Sequence, residues 1–480
     1  MGRAKNTVLI VILFTLVAFP MQAQNLYKHK LHPVSTPVYD ELAPVMIREG
    51  LIYTTNRPTN TLTNSTDARG KFPSDIYLAV QDEEGKWSDG EIYSEKLHFP
   101  QHDAVASFSL NEDLVFFTRT FEALPPKGIK SILTGKITTP NPNSGLFFSA
   151  REGEEWSEVQ EFPHNQEMTI HPALNPFGDK VYFSSNREGG FGGYDLYVSD
   201  FVNGEWSTPK NLGPVVNSSG DEIYPFLHSS GRLYFSSSGH DNNVGGFDIF
   251  YTDYFNNRWF SPVKLGSPFN SGLNDYTYYA DQNFETGFFT SNRRGSIDIF
   301  TFELTLPSFE FCKQQVEDNY CYIFFEENTV SLDSSLYMYE WDLGDDTKVR
   351  ATEVEHCYDG PGDYLVQLNV VDKLTGIVAF NQAEYLVEVR KIIQPFITAP
   401  DTTKVNEEIQ LHGLESYLDE AIPGEYYWDF GDGEKDVGAT VRHTYVTPGT
   451  YKVKLGIIEE TENPETAERF CSYMTIIVEE

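Results

Sequence analysis

Carboxylates are the commonest reactive groups in this sequence, and their placement decides what chemistry they could perform. Asp195, Asp248 and Asp298 each open an Asp-aliphatic-aromatic triplet, and a second set forms Asp342-Leu343-Gly344-Asp345-Asp346 and Asp429-Phe430-Gly431-Asp432-Gly433. Paired acids can cleave glycosides, hold a hard cation or cap turns. Beside this much glycine, turn capping is the reading taken. No EF-hand spacing is present, so Ca2+ at the second set stays an alternative and no cofactor is expected. Nucleophilic chemistry lacks its motifs, with neither a Gly-x-Ser-x-Gly elbow nor a His-Glu-x-x-His pair in the chain. The 11 histidines are scattered and the four cysteines include no Cys-x-x-Cys, which argues against zinc.

The elements that must carry these acids come from a repeat. Asp221 to Asp253 reads DEIYPFLHSSGRLYFSSSGHDNNVGGFDIFYTD, with copies at Ile170 to Asp200 and Asp275 to Phe302. Each copy holds an apolar strand, a tight turn, a strand ending Phe-Ser-Ser or Phe-Thr-Ser, a Gly-rich loop and an Asp-aromatic strand. Trp206 to Leu212 and Trp259 to Leu265 supply a fourth strand. Val38 to Leu97 and Asp103 to Phe162 fit the same plan, which makes five units. The fifth lacks its outer strand, and Tyr27 to Glu41 aligns with Ser207 to Glu222, so the N-terminal segment is expected to complete it. Four strands repeating at roughly 50 residues is the pattern of a propeller blade. The repeats resemble the WD-like propeller repeats of the periplasmic Tol propeller and of envelope proteins in gliding and type IX secreting bacteria.

The first residues read as an export signal over 1–23: Arg3 and Lys5, an apolar run from Val8 to Phe19, and small Ala23. No cysteine precedes Cys312, so a lipid-modified N-terminus is not expected, and no later apolar run is long enough for a spanning helix. A formal charge of −36 disfavours nucleic acid and anionic lipid, both of which need a positive footprint. The expected location is the periplasm or the outer-membrane surface, with no membrane insertion and with peripheral association through a partner.

After the propeller, assigned to 25–306, a second repeat begins. Tyr339 to Asp346 matches Tyr426 to Gly433, and His356 to Val370 matches His443 to Ile457. These segments resemble polycystic kidney disease (PKD) domains, Ig-like sandwiches marked by Tyr-x-Trp-Asp-Phe-Gly-Asp-Gly. The first copy departs at Leu343 and Asp346. The chain is therefore read as all-β, a five-bladed β-propeller followed by two Ig-like (PKD) β-sandwiches at 307–391 and 392–480. Trp341 and Trp428 should be buried, each contributing about 5 kcal/mol before entropy. The expected disulfide joins Cys321 to Cys357, each followed by Tyr and each on strands that should be neighbours in the sandwich, with Cys471 unpaired or bridged elsewhere.

The resemblance implies a non-enzymatic interaction protein of the Gram-negative envelope, linked to type IX secretion or gliding. A carbohydrate-binding exported protein is the alternative from another class, and a propeller glycosidase a third. In a propeller the loops between second and third strands share a face with those between blades. That face should carry two long insertions, Pro58 to Ser74 and Phe121 to Gly145, longer than closure requires. The expected partner-binding residues on it are Asn64, Arg69, Lys71, Lys127, Lys130, Asn186, Arg187, Asp241 and Arg293.

Overall fold

The computed structural model describes residues 26–58, 72–98, 102–122, 142–153, 155–327, 334–461 and 466–480. The segment 1–23 expected to be an export signal and most of both insertions lie outside these residues. The chain divides into one unit up to Thr305 and a second from Leu306 to Glu480.

The first unit is β-propeller-like. Each repeat copy folds into its own antiparallel meander. The third runs Thr169–Leu174, Lys180–Ser185, Asp195–Val202 and Lys210–Asn211, and the fourth runs Glu222–Leu227, Leu233–Ser237, Asp248–Thr252 and Val263–Lys264. Val38 to Leu97 and Asp103 to Phe162 build sheets of the same order. In the last sheet the outer position is taken by the N-terminal strand Tyr27–Leu31, antiparallel to Asp298–Leu304 with Leu31 opposite Phe300. The inner strand of each sheet lies against the inner strand of the next, and Asp275–Ala280 lies against Glu41–Ile47. Alternating side chains from facing sheets interleave; Phe116, Phe162, Phe183 and Trp206, for example, fill one such layer.

The inner strands are bent, and the bend accounts for hydroxyls near the ends of two second strands, Thr54 and Thr118. In every sheet the pairing of inner and second strands slips once, between Leu42 and Val45, Ala104 and Ala106, Ile170 and Ala173, Ile223 and Phe226, and Asp275 and Tyr278. Four of these bulges put a side-chain-bearing residue at positive φ: Ala43 (51°), Val105 (48°), His171 (55°) and Tyr224 (53°). A bulge frees a backbone amide from the ladder, and a buried amide needs a partner. In two sheets a hydroxyl of the neighbouring second strand supplies it across the gap, whereas Thr290 Oγ1 accepts Thr277 N–H within its own sheet and Ser184 Oγ has no partner among the described residues. Val105 N–H donates to Thr54 Oγ1 at 2.8 Å and His171 N–H to Thr118 Oγ1 at 2.9 Å, while Ser236 Oγ donates to the carbonyl of Tyr276.

Glycine serves the third-sheet loop by close approach. Gly189 has φ of 91°, but Gly192 and Gly193 are not left-handed; a Cβ there would fall 2.1 Å from Gly220 O and from Asp221 Oδ1. They let the loop press against the entry of the next sheet, where Gly193 N–H donates to Gly220 O at 2.8 Å.

The second unit holds two sandwich modules. In the first, Cys321–Phe325 pairs Glu353–Cys357 opposite a four-stranded sheet ordered Lys348–Val349, Tyr337–Asp342, Gly362–Asp372 and Val378–Val389. In the second, Glu408–His412 pairs Thr440–Thr444 opposite a six-stranded sheet. Trp341 and Trp428 are each 1 % exposed and donate Nε1–H to Ala351 O (3.2 Å) and Gly438 O (2.8 Å). A tyrosine hydroxyl ties each module at the same place, Tyr358 to Leu343 O and Tyr445 to Phe430 O. Cys321 faces Cys357 across paired strands and is bonded to it.

The modules differ from the expected division at 391 in one respect. Lys313–Gln314, placed by sequence in the first module, runs parallel to Ser472–Tyr473 as the edge strand of the second. Cys312 is bonded to Cys471, 159 residues on. Phe309 lies on Gly456, where a Cβ would meet its ring at 2.3 Å; the matching residue of the first module is Asn369, whose side chain would stand in the way. The strap thus fits only the second module.

Two outcomes follow. Deleting 26–31 should lower the melting temperature of the first unit by several degrees, measured by calorimetry, because the last sheet loses its outer strand and exposes an edge; an unchanged value would show that the strand contributes nothing. Replacing Cys312 and Cys471 together by Ser should destabilise the second module more than the first, by on the order of 5 kcal/mol on the chain-entropy view of a loop this long. Hydrogen exchange resolved to each module reads the difference.

Candidate binding site

Of the nine residues singled out on the loop face, three of the four that are described make hydrogen bonds within the first unit. Arg187 reaches inward: Nε donates to Ser185 Oγ at 3.1 Å, Nη2 to His164 O at 3.2 Å, and the guanidinium lies over Phe183 and Tyr197. Arg293 does the same with Ser291 Oγ, Phe269 O and Asp275 Oδ1 (2.7 Å), over Phe289 and Phe300. Both side chains are thus engaged within the first unit, with part of their surface exposed. A side chain's number in a loop does not tell which way it turns, and the aromatic stack and ring of carbonyls draw the cation inward. Asn186 accepts Met168 N–H at 3.0 Å and is also a fastener, although its surface is exposed. Asp241 is exposed. Asn64, Arg69, Lys71, Lys127 and Lys130 lie outside the described residues.

The same fastening recurs in every sheet. A donor from the second strand or the loop after it reaches the carbonyl of the turn that enters the sheet: Arg57 to Val34 O, Arg119 to Leu97 O, Arg187 to His164 O, His240 to Val216 O and Arg293 to Phe269 O. Beside it stands a buried polar residue that opens the inner strand: Glu41, Asp103, Thr169, Glu222 or Asp275. Burial pushes Glu41 up to about 7, even though Thr36 and Arg57 pull it down, and burial likewise raises Glu222. The acids of the Asp-aromatic strands are similarly engaged. Asp195 accepts Phe191 N–H (2.7 Å) and Gly192 N–H (3.0 Å), Asp248 accepts Val244 N–H and Gly245 N–H, and Asp298 pairs with Ser296 Oγ.

One cluster has the donor set of a cation site. Asp75, His98 and Asp103 bring ligand atoms within 4.8 Å of one another. His98 Nδ1 is 3.0 Å from Asp75, and Arg119 Nε binds Asp103 at 2.7 Å. A guanidinium already neutralising one carboxylate opposes a second cation, so these residues fit a metal poorly and form another inter-sheet fastener. The acids considered for Ca2+ are likewise held. Asp345 accepts Thr347 N–H and lies 2.7 Å from His356 Nε2; Asp432 accepts Glu434 N–H and lies 2.8 Å from His443; Asp429 is flanked by Lys435 and Lys454.

The open space is at the other end of the inner strands. A pocket of about 360 Å³ is walled by their C-terminal halves and following turns, including Met46, Phe108, Leu110, Pro176, Phe226 and Tyr279. Leu110 is 61 % exposed at its rim. Deeper along the axis His171 stacks on Tyr224 at 3.8 Å, and burial lowers its pKa to about 3, keeping the ring neutral. The lining contains two acids. Asp281 is spent on its own turn, accepting Glu285 N–H and Thr286 N–H, and Glu112 accepts Arg48 N–H at 2.8 Å. Such walls can receive an apolar or aromatic group and offer it few directed polar contacts. The Pro, Phe and Leu in the first-to-second-strand turns are the sequence signal for this mouth.

Comparison with known proteins places the modules. The PKD domain pattern matches residues 307–383 and 393–471, so the two C-terminal modules are PKD domains. Human polycystin-1 is 32 % identical over 137 residues, 27 % of this chain and 3 % of that protein. Collagenase ColA of Clostridium perfringens is 33 % identical over 111 residues, 23 % of this chain and 10 % of its own length. The chain therefore spans a small part of these relatives. Among solved structures, TolB from Acinetobacter baumannii is 16 % identical, covering 55 % of this chain and 54 % of its own, with a TM-score of 0.28. A protein of unknown function from Dyadobacter fermentans is 11 % identical, covering 76 % and 100 %, with a TM-score of 0.37. Neither superposition is close enough to carry a function across. Among the described residues no helix is long and apolar enough to cross a membrane.

The buried acid Glu41 gives a test with a definite sign. Its folded state holds a proton above the pH at which an unfolded glutamate releases it, so this stabilising contribution is complete below about 4.5 and fades as pH rises through about 7. The melting temperature of the first unit should fall between pH 5 and pH 8. Glu41→Gln should flatten that fall by about 3 °C. A melting temperature that rises over this range in the wild type would show Glu41 ionised by its Thr36 and Arg57 partners.

Proposed function

We propose that this chain is a non-enzymatic docking protein of the Gram-negative envelope, exported across the inner membrane, whose first unit is a closed five-bladed propeller and whose PKD domains act as spacers. The observation that carries the reading is the contrast between the two ends of the inner strands. At one end the recurrent charges are consumed as fasteners; at the other a rigid apolar socket stands open. A socket walled by aromatic and aliphatic side chains suits an inserted hydrophobic side chain of a protein partner. The strong net negative charge favours a basic surface around that side chain and faster encounter at low salt. Membership of type IX secretion or gliding machinery is the setting that the repeat resemblance suggests. The insertions Pro58 to Ser74 and Phe121 to Gly145, expected on the loop face, are proposed as a second contact region.

A photoreactive amino acid in place of Leu110 should capture a protein from envelope fractions, and Leu110→Asp together with Met46→Asp should cut recovery of that protein at least tenfold. A third protein, with both insertions replaced by Gly-Ser turns, separates the two faces. If all three proteins recover the same partners, neither face docks them and the reading fails. A glycan array run on the wild type decides against it in favour of carbohydrate binding if a glycan binds and Leu110→Asp abolishes the signal.

A further inference from the structure

The two PKD domains share a strand that is covered in one and bare in the other. Aligned through Gly362 and Gly449, strand Val378–Val389 of the first corresponds to Arg469–Glu479 of the second. In the second domain the outer edge of that strand carries two parallel strands: Lys313–Gln314 beside Ser472–Tyr473, and Thr402–Lys404 beside Ile477 to Glu479. In the first, Val378–Val389 ends its sheet, pairing among the described residues with Gly362–Asp372 alone. The reason is topological. Counting back from the first paired strand, Thr402 of the second domain corresponds to Gln315 of the first, and residues 313–316 are committed to the second domain by Cys312–Cys471 and by Gln315 N–H to Tyr473 O at 2.9 Å. The segment that would cover the first domain's edge has been given to its neighbour.

The bare edge has a defined register and chemistry. Tyr473 O and Ile477 N–H point outward to the covering strands, so by the shared register Glu384, Leu386 and Glu388 present their backbone groups outward. Their side chains share a face with Gln367, Leu365 and Asp363 of the neighbouring strand. That face reads acid, leucine, acid. Leu386 is 61 % exposed, and Arg390, bound to Asp363 at 2.6 Å and 3.5 Å from Glu388, offsets only part of the charge. A bulge in this strand itself, where Phe380 to Gln382 stand against the single Asn369 and Asn381 is at positive φ, interrupts pairing toward Val378 and leaves Ala383 to Val389 regular. Long regular edges are normally blunted by bulges, prolines or lysines, and none of these occupies this stretch.

We propose that the edge at Ala383 to Val389 is a strand-acceptor site, and that its ligand is an extended segment of a partner protein, added parallel, with basic, apolar and basic residues at alternate positions. Main-chain hydrogen bonds to Glu384, Leu386 and Glu388 hold the segment, Leu386 takes the apolar side chain, and the two glutamates select the basic ones. The site goes beyond the docking assigned to the propeller and stands without it.

The test uses the full chain and an amidated Thr-Lys-Thr-Val-Thr-Lys-Thr peptide, whose Lys, Val and Lys fall on one face of a strand, with the Glu-for-Lys peptide as control. Saturable binding of the basic peptide is expected, with amide shifts confined to the Val378–Val389 strand, and at least tenfold weaker binding of the acidic one. Leu386→Pro removes an outward N–H and no internal ladder bond, and should weaken the basic peptide at least tenfold. Should that variant fail to fold, Glu384→Lys with Glu388→Lys should reverse the preference toward the acidic peptide. Binding that is equal for both peptides, or unchanged in these variants, overturns the site. Concentration-dependent dimerisation of the wild type, lost in Leu386→Pro and without peptide binding, overturns the partner in favour of a second copy of this chain.

Discussion

A buried backbone amide without a partner costs on the order of 1–3 kcal/mol, and the first unit generates such amides wherever an inner strand bends. The bend itself is needed, because flat strands cannot converge on an axis without crowding their side chains. The response is to borrow acceptors from the next sheet. Thr54 serves Val105 and Thr118 serves His171, so a local defect in one sheet becomes a bond between two. The loop side repeats the strategy with larger groups. Arg57, Arg119, Arg187, His240 and Arg293 each close on a carbonyl of an entry turn. Histidine can replace arginine at one of these five places because the task is a single donated bond beside a buried acid, which an imidazole N–H can perform.

This economy explains what the sequence could and could not reveal. Strand order was legible because it follows from alternation and turn residues, which are local. The N-terminal strand beside Asp298–Leu304 was legible from an alignment of two segments with matching Pro and Glu positions. The acids of the Asp-aromatic triplets read correctly as turn caps because their amide partners lie three or four residues away. The inward bonds of Arg187 and Arg293 were not legible, because their partners lie more than 20 residues upstream, at His164 and Phe269, and nothing in the Asn-Arg dipeptide says that the loop curls toward them. The pocket stayed hidden for the same reason: its wall is made of one short segment from every sheet.

The cysteines divide along the same line. Cys321 and Cys357 belong to one sandwich and sit opposite each other in register, so strand neighbourhood is enough to link them. Cys312 and Cys471 meet because the chain entering the second unit passes over the first PKD domain and lies down on the second. The signal for that route was Gly456, a glycine in a strand where its twin has asparagine, and it has meaning only once Phe309 is seen resting on it.

The Cys312–Cys471 bond also fixes how the molecule transmits a pull. Tension applied between the propeller-like unit and the last residues enters at Cys312, crosses two sulfur atoms and leaves at Cys471. Everything between those positions is slack, including the whole first PKD domain. That domain can open and refold without lengthening the tether, because beyond Cys471 the load runs along Arg469–Glu479, a strand that is already extended. An extensible chain of beads has thereby become a short fixed link with a domain hanging from its side.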